Sequence, residues 1–202
     1  MNTKADEQLM GSLAAGDDSA LGELMRRWQG RVWCFIDRMC WALHATDDIH
    51  QDVWTRVYLY RKRYKPTRGF RPYLFAVAIN CCRTALRKGR RQPWAAYDAD
   101  ALAEQSVADD PPPVEAMVQA ERAGQLRRAI ADLPEAQKAV VLLYLLATSD
   151  YGEIASLLGL SVGTVRSHMH HALCRLRSVL THLAAEAERQ VDHDRNTNRQ
   201  TR

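Results

Sequence analysis

The sequence predicts an all-α protein of two small helical domains, the second containing a helix-turn-helix, joined by a flexible acidic linker. Three observations lead to this prediction. Apolar residues recur at spacings of three and four through most of the chain, which is the period of a helix with one buried face. No strand alternation of useful length occurs. An acidic segment that ends in prolines interrupts the helical pattern between residues 93 and 113.

The composition indicates a protein that folds in water. The chain has 202 residues, of which 47% are hydrophobic, enough for one domain or two small ones. The longest apolar run covers nine residues, from Ala139 to Ala147, whereas a membrane-spanning helix needs about twenty. The N-terminus carries acids and has no apolar segment behind it, unlike a signal peptide. We therefore expect a cytoplasmic protein without membrane insertion.

The first predicted domain spans residues 1–92 and begins with helices whose apolar residues share one face. The stripe consists of Leu9, Leu13, Leu21, Leu24, Met25, Trp28, Val32 and Phe35. A further helix starts near Thr46, a candidate N-cap, with two aspartates in its first turn, where carboxylates favour the positive helix end. The last helix of this domain is predicted from about Pro72 to Gly89.

Positive charge and aromatic rings are concentrated in one block of this domain. The block from Val53 to Tyr97 contains twelve Lys or Arg residues and no acid, although the net charge of the chain is only +4. It also holds nine of the fifteen aromatic residues. Cations that follow a backbone and rings that stack on exposed bases are typical of proteins that bind single-stranded nucleic acid. We predict base contacts for Tyr64, Phe70 and Tyr73, and core positions for Trp54, Tyr58 and Phe75.

The linker and the second domain follow the first domain. Residues 93–113 contain acids, small residues and three closing prolines, which is the composition of a linker without a packed core. The second domain is predicted over residues 114–185 as four helices, one of them with a proline in its first turn. The polar tail, residues 186–202, is predicted to be disordered.

The segment EIASLLGLSVGTVRSHMHHALCRLR, from Glu153 to Arg177, has the pattern of a helix-turn-helix. Gly159 ends its first helix, and Ser161 is placed to cap the second. On the second helix, one apolar face collects Val162, Val165, Met169, Leu173, Leu176 and Leu180. The polar N-terminal turns of such a helix meet the major groove and the phosphates of duplex DNA. No acid occurs between Glu153 and Glu186, which suits that placement.

Three histidines and a cysteine in this second helix raise the alternative of a metal site. His168 and His170 lie about 160 degrees apart around a helix, so they cannot share one ion. The remaining combinations pair only two ligands, whereas a structural zinc site needs four. The five cysteines of the chain have no C-x-x-C spacing, which argues against a zinc ribbon or a disulfide framework. We expect reduced thiols, no metal and no cofactor, with the histidines facing DNA or solvent.

Three segments, in this order along the chain, resemble motifs of the extracytoplasmic-function (ECF) group of bacterial sigma factors. The first, similar to the family's A-E-D-L-V-Q-E-V-F helix, is ATDDIHQDVWTRVY. The second, similar to F-R-x-W-L-x-x-I-A-x-N with a basic end, is FRPYLFAVAINCCRTALRKGRR. The third, similar to the L-P-x-x-x-R stretch and the family's helix-turn-helix, runs from LPEAQKAVVLLYL to the end of the segment quoted above. The resemblance covers the chain from about Asp6 to Leu183.

This resemblance implies a function that is not enzymatic. A sigma factor directs core RNA polymerase to specific promoters and initiates transcription, while the polymerase performs the chemistry. The partners implied are core RNA polymerase, promoter DNA as duplex and as melted nontemplate strand, and an anti-sigma factor. The acidic linker would thread the path of the polymerase's active site and RNA exit.

The resemblance also implies roles for particular residues. The clamp helices of the polymerase's largest subunit would be contacted by Asp48, Gln51 and Asp52. The minus-ten element would be contacted by Asn80, Arg83 and Arg87, while the loop from Tyr64 to Phe70, with Tyr73 beside it, would receive a base flipped from the nontemplate strand. The duplex minus-thirty-five element would be read by Ser161, Gly163, Thr164, Arg166, Ser167, His168 and His171.

The chain departs from the family pattern at five positions. Tyr73 stands where Trp is usual, Lys138 where Arg is usual, and His50 where an apolar residue is usual. His168 and His171 replace arginines of the recognition helix, and a neutral imidazole cannot make the bidentate contact that Arg makes to phosphate or guanine. We therefore predict weaker or altered minus-thirty-five binding that strengthens at mildly acidic pH, where histidine gains charge.

Two other functions remain open at the level of sequence. An autonomous helix-turn-helix regulator would explain the second domain but would leave the basic, aromatic first domain without a task, and such regulators usually dimerise. An enzyme acting on nucleic acid would need Asp47, Asp48 and Asp52 as metal ligands. These acids sit at a helix start, and no further acid follows until Asp98.

Overall fold

The computed structural model describes residues 5–65, 69–91, 124–148 and 150–200, and every regular element in these ranges is helical. The helices are α1 Asp6–Ala14, α2 Ser19–Met39, α3 Thr46–Leu59, α4 Phe70–Arg91, α5 over residues 124–131, α6 Glu135–Leu146, α7 Tyr151–Leu158 and α8 Val162–Gln200. Short 3-10 turns occupy Trp41–Leu43 and Arg61–Arg63. The all-α prediction is confirmed, whereas the predicted linker at 93–113 lies outside the described residues.

Aromatic rings at the centre of the first four helices hold them together. Phe75 of α4 lies edge-to-face against Phe35 and Trp28 of α2, with ring centroids 5.5 and 6.4 Å away. Phe70 also meets Trp28 edge-to-face at 6.4 Å. Burying such side chains contributes about 1.5–3 kcal/mol each, and the edge-to-face geometry adds to this. The predicted core positions of Trp28, Phe35 and Phe75 are confirmed, since all three are buried.

Helix α1 fixes both α2 and the start of α4. The Asp6 carboxylate accepts hydrogen bonds from Arg27 Nη1 at 2.7 Å and from Trp28 Nε1 at 2.8 Å. The Glu7 carboxylate accepts one from the backbone N–H of Phe70, the first residue of α4, at 3.0 Å. The first N–H groups of a helix lack partners within it, so Glu7 supplies one from 63 residues away.

The Glu7→Ala variant is expected to lose about 1 kcal/mol of stability, the usual cost of removing a side chain that caps a helix. The Glu7→Gln variant keeps an oxygen acceptor in the same place and is expected to recover most of this loss. Urea unfolding of the two variants beside the wild type measures the difference. Equal stabilities for Ala and Gln at this position would contradict the capping role.

The boundaries of two helices differ from the sequence prediction. Thr46 is the first residue of α3 rather than its N-cap, because the chain enters the helix one residue earlier than predicted, with Ala45 as an N-cap that makes no side-chain hydrogen bond. Helix α4 starts at Phe70 rather than near Pro72, because the Glu7 cap stabilises an earlier first turn. At the other end of α4, a Cβ on Gly89 would come within 2.6 Å of Leu43 Cδ2, so a larger residue there would require the Leu43 side chain to shift.

The second group of helices forms the predicted helix-turn-helix. Asp150 caps α7 by accepting from the N–H groups of Gly152 and Glu153 at 2.5 and 3.1 Å. Gly159 ends α7 in the left-handed conformation at φ 69°, which glycine adopts without strain. Ser161 Oγ then caps α8 by accepting from the N–H of Thr164 at 3.1 Å. Two caps and one glycine therefore set the turn between α7 and α8.

Helix α8 is longer than the sequence predicts. Residues 186–202 are predicted to be disordered, but α8 continues to Gln200. Alanine, glutamate, arginine and glutamine dominate the sequence after residue 183, and these residues have high helix propensity without proline or glycine to end the helix. Within the domain, the buried face of α8 is Val165, Met169, Ala172 and Leu176, while the predicted core residues Val162, Leu173 and Leu180 are exposed.

The two groups of helices pack against each other. Helix α6 lies against α2, and α7 lies against α4. The buried residues of both groups form one continuous hydrophobic cluster. At this contact, Lys138 of α6 is half-buried and donates a hydrogen bond to the carbonyl of Ala131, and its charge acts on Cys40 at the end of α2.

Candidate functional site

An acidic and polar face lies on the outer side of α3. Asp48 and Gln51 are exposed, and Asp52 is half-buried. Positions three and four residues apart lie on the same side of a helix, so α3 brings these three predicted site residues together. Asp52 is held by Arg56, whose Nε and Nη2 lie 3.0 Å from its two carboxylate oxygens. Asp48 and Gln51 are therefore the freer members of this face.

Trp33 adds an exposed indole beside the acidic face, which the sequence analysis did not identify. Its Nε1 donates to Asp47 Oδ1 at 2.9 Å and so connects α2 to the first turn of α3. The side chain is 42% exposed, which is unusual for tryptophan. In the sequence, the only indication that Trp33 is exposed was that it does not belong to the apolar stripe of α2.

His50 connects the inner side of α3 to α2. Its Nε2 accepts a hydrogen bond from the buried Trp54 indole at 3.0 Å, so this nitrogen carries no proton. Burial lowers the pKa of His50, against the opposing effects of a hydrogen bond to the Gln29 backbone and the charge of Asp47. The neutral imidazole fills the place of the apolar residue that is usual in the family.

The pH dependence of stability follows from this lowered pKa. The unfolded chain binds a proton at His50 more readily than the folded one, so the contribution of His50 is present above its unfolded pKa, about 6.5, and is lost as the pH falls through the lower folded value. We expect wild type to lose more stability than His50→Leu between pH 8 and about pH 5, measured by urea unfolding. The same substitution at exposed His171 is the control. Parallel losses in wild type and His50→Leu would contradict this.

The predicted base-contacting aromatics lie at the start of α4, but they are not equally available. Phe70 is fully buried, so the prediction that it stacks on a base is wrong for this conformation, because its ring fills the core beside Trp28. Tyr64 and Tyr73 are half-buried with ring centroids 5.1 Å apart. Among the residues that the structure describes, their buried hydroxyl oxygens have no hydrogen-bond partner. Burial raises the pKa of Tyr64 to about 12 and also raises that of Tyr73.

The three predicted minus-ten residues of α4 share one side of the helix. Asn80 and Arg87 are exposed, and Arg83 is half-buried. Arg87 Nε donates to the Arg83 carbonyl at 3.3 Å, which directs the guanidinium along the helix surface. The opposite side of α4 is apolar and buried, so the polar side is the one available to a ligand.

Cations at the end of α3 extend this basic surface. Arg61 lies over the Tyr58 ring at 4.1 Å, and Arg63 lies over the Tyr60 ring at 5.6 Å. Tyr60 is 48% exposed, so one face of a ring and a cation meet at the surface. These residues belong to the basic block predicted from the sequence, but their pairing was not predicted. The spacing of three residues between ring and cation at a helix end was the available signal.

The recognition helix α8 presents its first turns to solvent. Ser161, Gly163, Arg166, Ser167 and His171 are exposed, and Thr164 and His168 are half-buried. The hydroxyls of Ser161 and Thr164 lie 2.8 Å apart and take part in the cap. The N–H groups and the positive end of the helix dipole favour phosphate at this turn. The predicted residues of this surface are therefore exposed or half-buried, and their contact with DNA stays a prediction.

Comparisons with known proteins match both halves of the chain. Residues 24–92 match the family description Sigma-70 region 2, and residues 123–176 match Sigma-70, region 4. The RNA polymerase sigma factor CarQ of Myxococcus xanthus is 31% identical over 86% of this chain and 97% of its own length. The ECF RNA polymerase sigma factor ShbA of Streptomyces griseus is 31% identical over 68% of this chain and 73% of its own length.

Solved structures agree on the fold. CnrH, in complex with the cytosolic domain of CnrY, aligns with a TM-score of 0.64 at 21% identity, over 88% of this chain and 98% of its own. The sigma factor RpoE of Bartonella quintana, in complex with the anti-sigma factor NepR, aligns with a TM-score of 0.60 at 20% identity, over 79% and 96%.

The helical groups, the recognition helix and these matches define a protein of the sigma-70 class. The chain belongs to the ECF group of RNA polymerase sigma factors. Among the residues that the structure describes, no helix is both long and apolar enough to cross a membrane.

Proposed function

We propose that this chain binds core RNA polymerase in the cytoplasm, directs it to specific promoters and initiates transcription there without being an enzyme itself. The observation that carries the proposal is that one chain presents, in the order of sigma-70 regions 2 and 4, an acidic helix face, a basic helix face and a helix-turn-helix. Residues 1–92 form the polymerase-binding and minus-ten domain, residues 93–113 the linker, and residues 114–185 the minus-thirty-five domain.

Core polymerase is bound by the outer face of α3. Asp48 and Gln51 make the principal contacts, since both are exposed, and Asp52 contributes through the carboxylate that Arg56 holds in place. The exposed indole of Trp33 lies next to this face. An acidic, rigid helix flanked by an aromatic ring suits a polymerase surface with basic side chains.

The minus-ten element is bound by α4 and the loop before it. Asn80, Arg83 and Arg87 lie on the exposed side of α4, where they reach bases and phosphates. Tyr64 and Tyr73 are half-buried beside the start of α4 with ring centroids 5.1 Å apart, which supports their contact with a flipped base. The buried Phe70 ring lies behind these two tyrosine rings, with centroids 6.5 and 6.4 Å away, and supports them from the core rather than stacking on the base.

The minus-thirty-five element is bound by the first turns of α8. Arg166 and Ser167 project outward, Gly163 allows close approach of the backbone, and the Ser161 cap with Thr164 fixes the helix start. His168 and His171 occupy the next turns.

The variant His168→Arg, His171→Arg is expected to bind the minus-thirty-five duplex more tightly than wild type, because arginine makes a bidentate cationic contact to phosphate or guanine that an imidazole cannot make. Fluorescence anisotropy with that duplex measures both dissociation constants. Equal affinities of wild type and variant would contradict a role for these two positions in binding DNA.

An anti-sigma factor is the regulatory partner we propose. Of the two similar structures above, one is the sigma factor RpoE bound to the anti-sigma factor NepR, and the other is CnrH bound to the cytosolic domain of CnrY. Two domains joined by a linker can be held by one such partner in an arrangement that cannot bind polymerase.

Comigration with core RNA polymerase tests the proposed function. The purified chain and bacterial core enzyme are mixed and separated by size-exclusion chromatography, with each alone as reference. The proposal expects a stoichiometric complex and a monomeric free chain. A free dimer that binds duplex DNA and does not comigrate with polymerase would instead indicate an autonomous helix-turn-helix regulator.

A further inference from the structure

Tyr60 presents an exposed aromatic ring at the end of α3. It is the C-cap residue of this helix, and its backbone N–H donates to the Arg56 carbonyl at 2.9 Å. The side chain is 48% exposed, so the core does not need its ring. A tyrosine held at a helix end in this way offers a flat apolar surface with a polar tip, which suits contact with another flat, partly polar group.

The guanidinium of Arg63 lies over this ring, with Cζ 5.6 Å from the ring centroid. Both residues belong to one tight turn, because the backbone N–H of Arg63 donates to the Tyr60 carbonyl at 2.8 Å. The backbone therefore sets the spacing between the ring and the cation. Proteins that bind single-stranded nucleic acid combine these two groups, since rings stack on bases while cations follow the phosphates.

Positive charge surrounds the pair. The 3-10 turn Arg61–Arg63 consists entirely of cations, and Lys65 and Arg71, which follow it in sequence, are exposed. Within the part of the chain that the structure describes, none of these cations forms a salt bridge. Helix α1 packs on the turn, but its Glu7 carboxylate is engaged by the N–H of Phe70. Positive charge without ion pairs at a surface favours a polyanion as the partner.

The pair also lies next to the tyrosines that we propose for the flipped base. Tyr64 follows the 3-10 turn directly, and its N–H donates to the Arg61 carbonyl at 3.3 Å. Because a 3-10 turn rises about 2 Å per residue, Tyr60 and Tyr64 lie about 8 Å apart along the chain. Neighbouring bases on one strand are about 3.4 Å apart when stacked. A strand with a base at Tyr64 and Tyr73 therefore has another base within reach of Tyr60.

We propose that Tyr60 and Arg63 form a second stacking site for the melted nontemplate strand, beside the site of the flipped base. This inference rests on the proposed function and adds a contact to it. The Tyr60 ring stacks on a base of the strand, and Arg63 contacts the adjacent phosphate. Stacking tolerates any base, because every base has a π-face. The second site therefore holds the open strand without selecting its sequence.

Fluorescence anisotropy of the full chain with two labelled DNA strands tests the proposal. One strand is oligothymidine, and the other is an abasic strand with the same number of phosphates. Tyr60→Ala is expected to bind oligothymidine at least about fivefold more weakly than wild type, because it loses the stacked ring. Its affinity for the abasic strand should not change. Tyr60→Phe keeps the ring and should bind both strands as wild type does.

Two further variants make the test specific. Tyr144 on α6 is 37% exposed and lies in the second domain, so Tyr144→Ala should bind both strands as wild type does. Arg63→Ala should weaken binding to both strands, because it removes a charge that acts on phosphate. Circular dichroism checks the fold of each variant.

Three outcomes would overturn the stacking site. They are equal affinities of Tyr60→Ala and wild type for oligothymidine, equal losses on the oligothymidine and abasic strands, and no binding of wild type to oligothymidine. Comigration with core RNA polymerase separates these outcomes from a failure of the proposed function. Wild type that comigrates with the polymerase, while Tyr60→Ala keeps full affinity for oligothymidine, would remove the stacking site alone.

Discussion

The double variant Asp48→Ala, Gln51→Ala is expected to bind core RNA polymerase at least about tenfold more weakly, a loss of roughly 1.4 kcal/mol or more. Both side chains are exposed on the outer face of α3, and neither is needed to hold the helix, in contrast to Asp52 with its Arg56 partner. The substitution therefore removes contacts to the partner while it leaves the fold intact. Titration of labelled protein with core enzyme measures the dissociation constant.

A composition-matched control separates this effect from a change in net charge. Asp132 and Gln29 are also exposed, and both lie away from the outer face of α3. The double variant Asp132→Ala, Gln29→Ala should bind core polymerase as wild type does. Equal affinities for the two double variants would contradict the assignment of the polymerase-binding face to α3.

The Phe75→Ala variant is expected to lose about 3–5 kcal/mol of folding free energy, the usual cost of deleting a fully buried aromatic ring. Phe75 is 0% exposed and contacts the rings of Phe35 and Trp28 edge-to-face. A loss of this size is a large fraction of the stability of a small domain, which is typically about 5–15 kcal/mol. Urea unfolding followed by circular dichroism measures it.

Tyr60 provides the comparison for this prediction. Its ring is 48% exposed at the end of α3, so Tyr60→Ala is expected to change stability by less than about 1 kcal/mol. Similar losses for Phe75→Ala and Tyr60→Ala would show that the core of the first domain does not centre on Phe75.

The sequence predicted those features that depend on neighbours along the chain. These features are the apolar stripe of α2, the acidic first turn of α3, and the cap and glycine of the helix-turn-helix. Each depends on residues within one or two helical turns of one another, so periodicity and capping rules detect it. For the same reason, Asp48, Gln51 and Asp52 fall on one face of α3 as predicted. Their role in binding polymerase stays a prediction.

Features that depend on distant residues were not predicted. The Glu7 cap on Phe70 joins residues 63 positions apart, and its effect on the start of α4 has no local signal. An aromatic residue beside a turn can be a ligand contact or a core ring, and only packing against Trp28 shows that Phe70 belongs to the core.

In vitro transcription tests the central claim most directly. Bacterial core RNA polymerase, this protein and fragmented DNA from its own source are combined, and the 5′ ends of the RNA are sequenced. We predict transcription start sites that depend on the protein, that share two spaced upstream motifs, and that yield less RNA with the Asp48→Ala, Gln51→Ala variant. The same set of start sites with and without the protein would contradict a promoter-specificity role, even if the protein by itself binds duplex DNA.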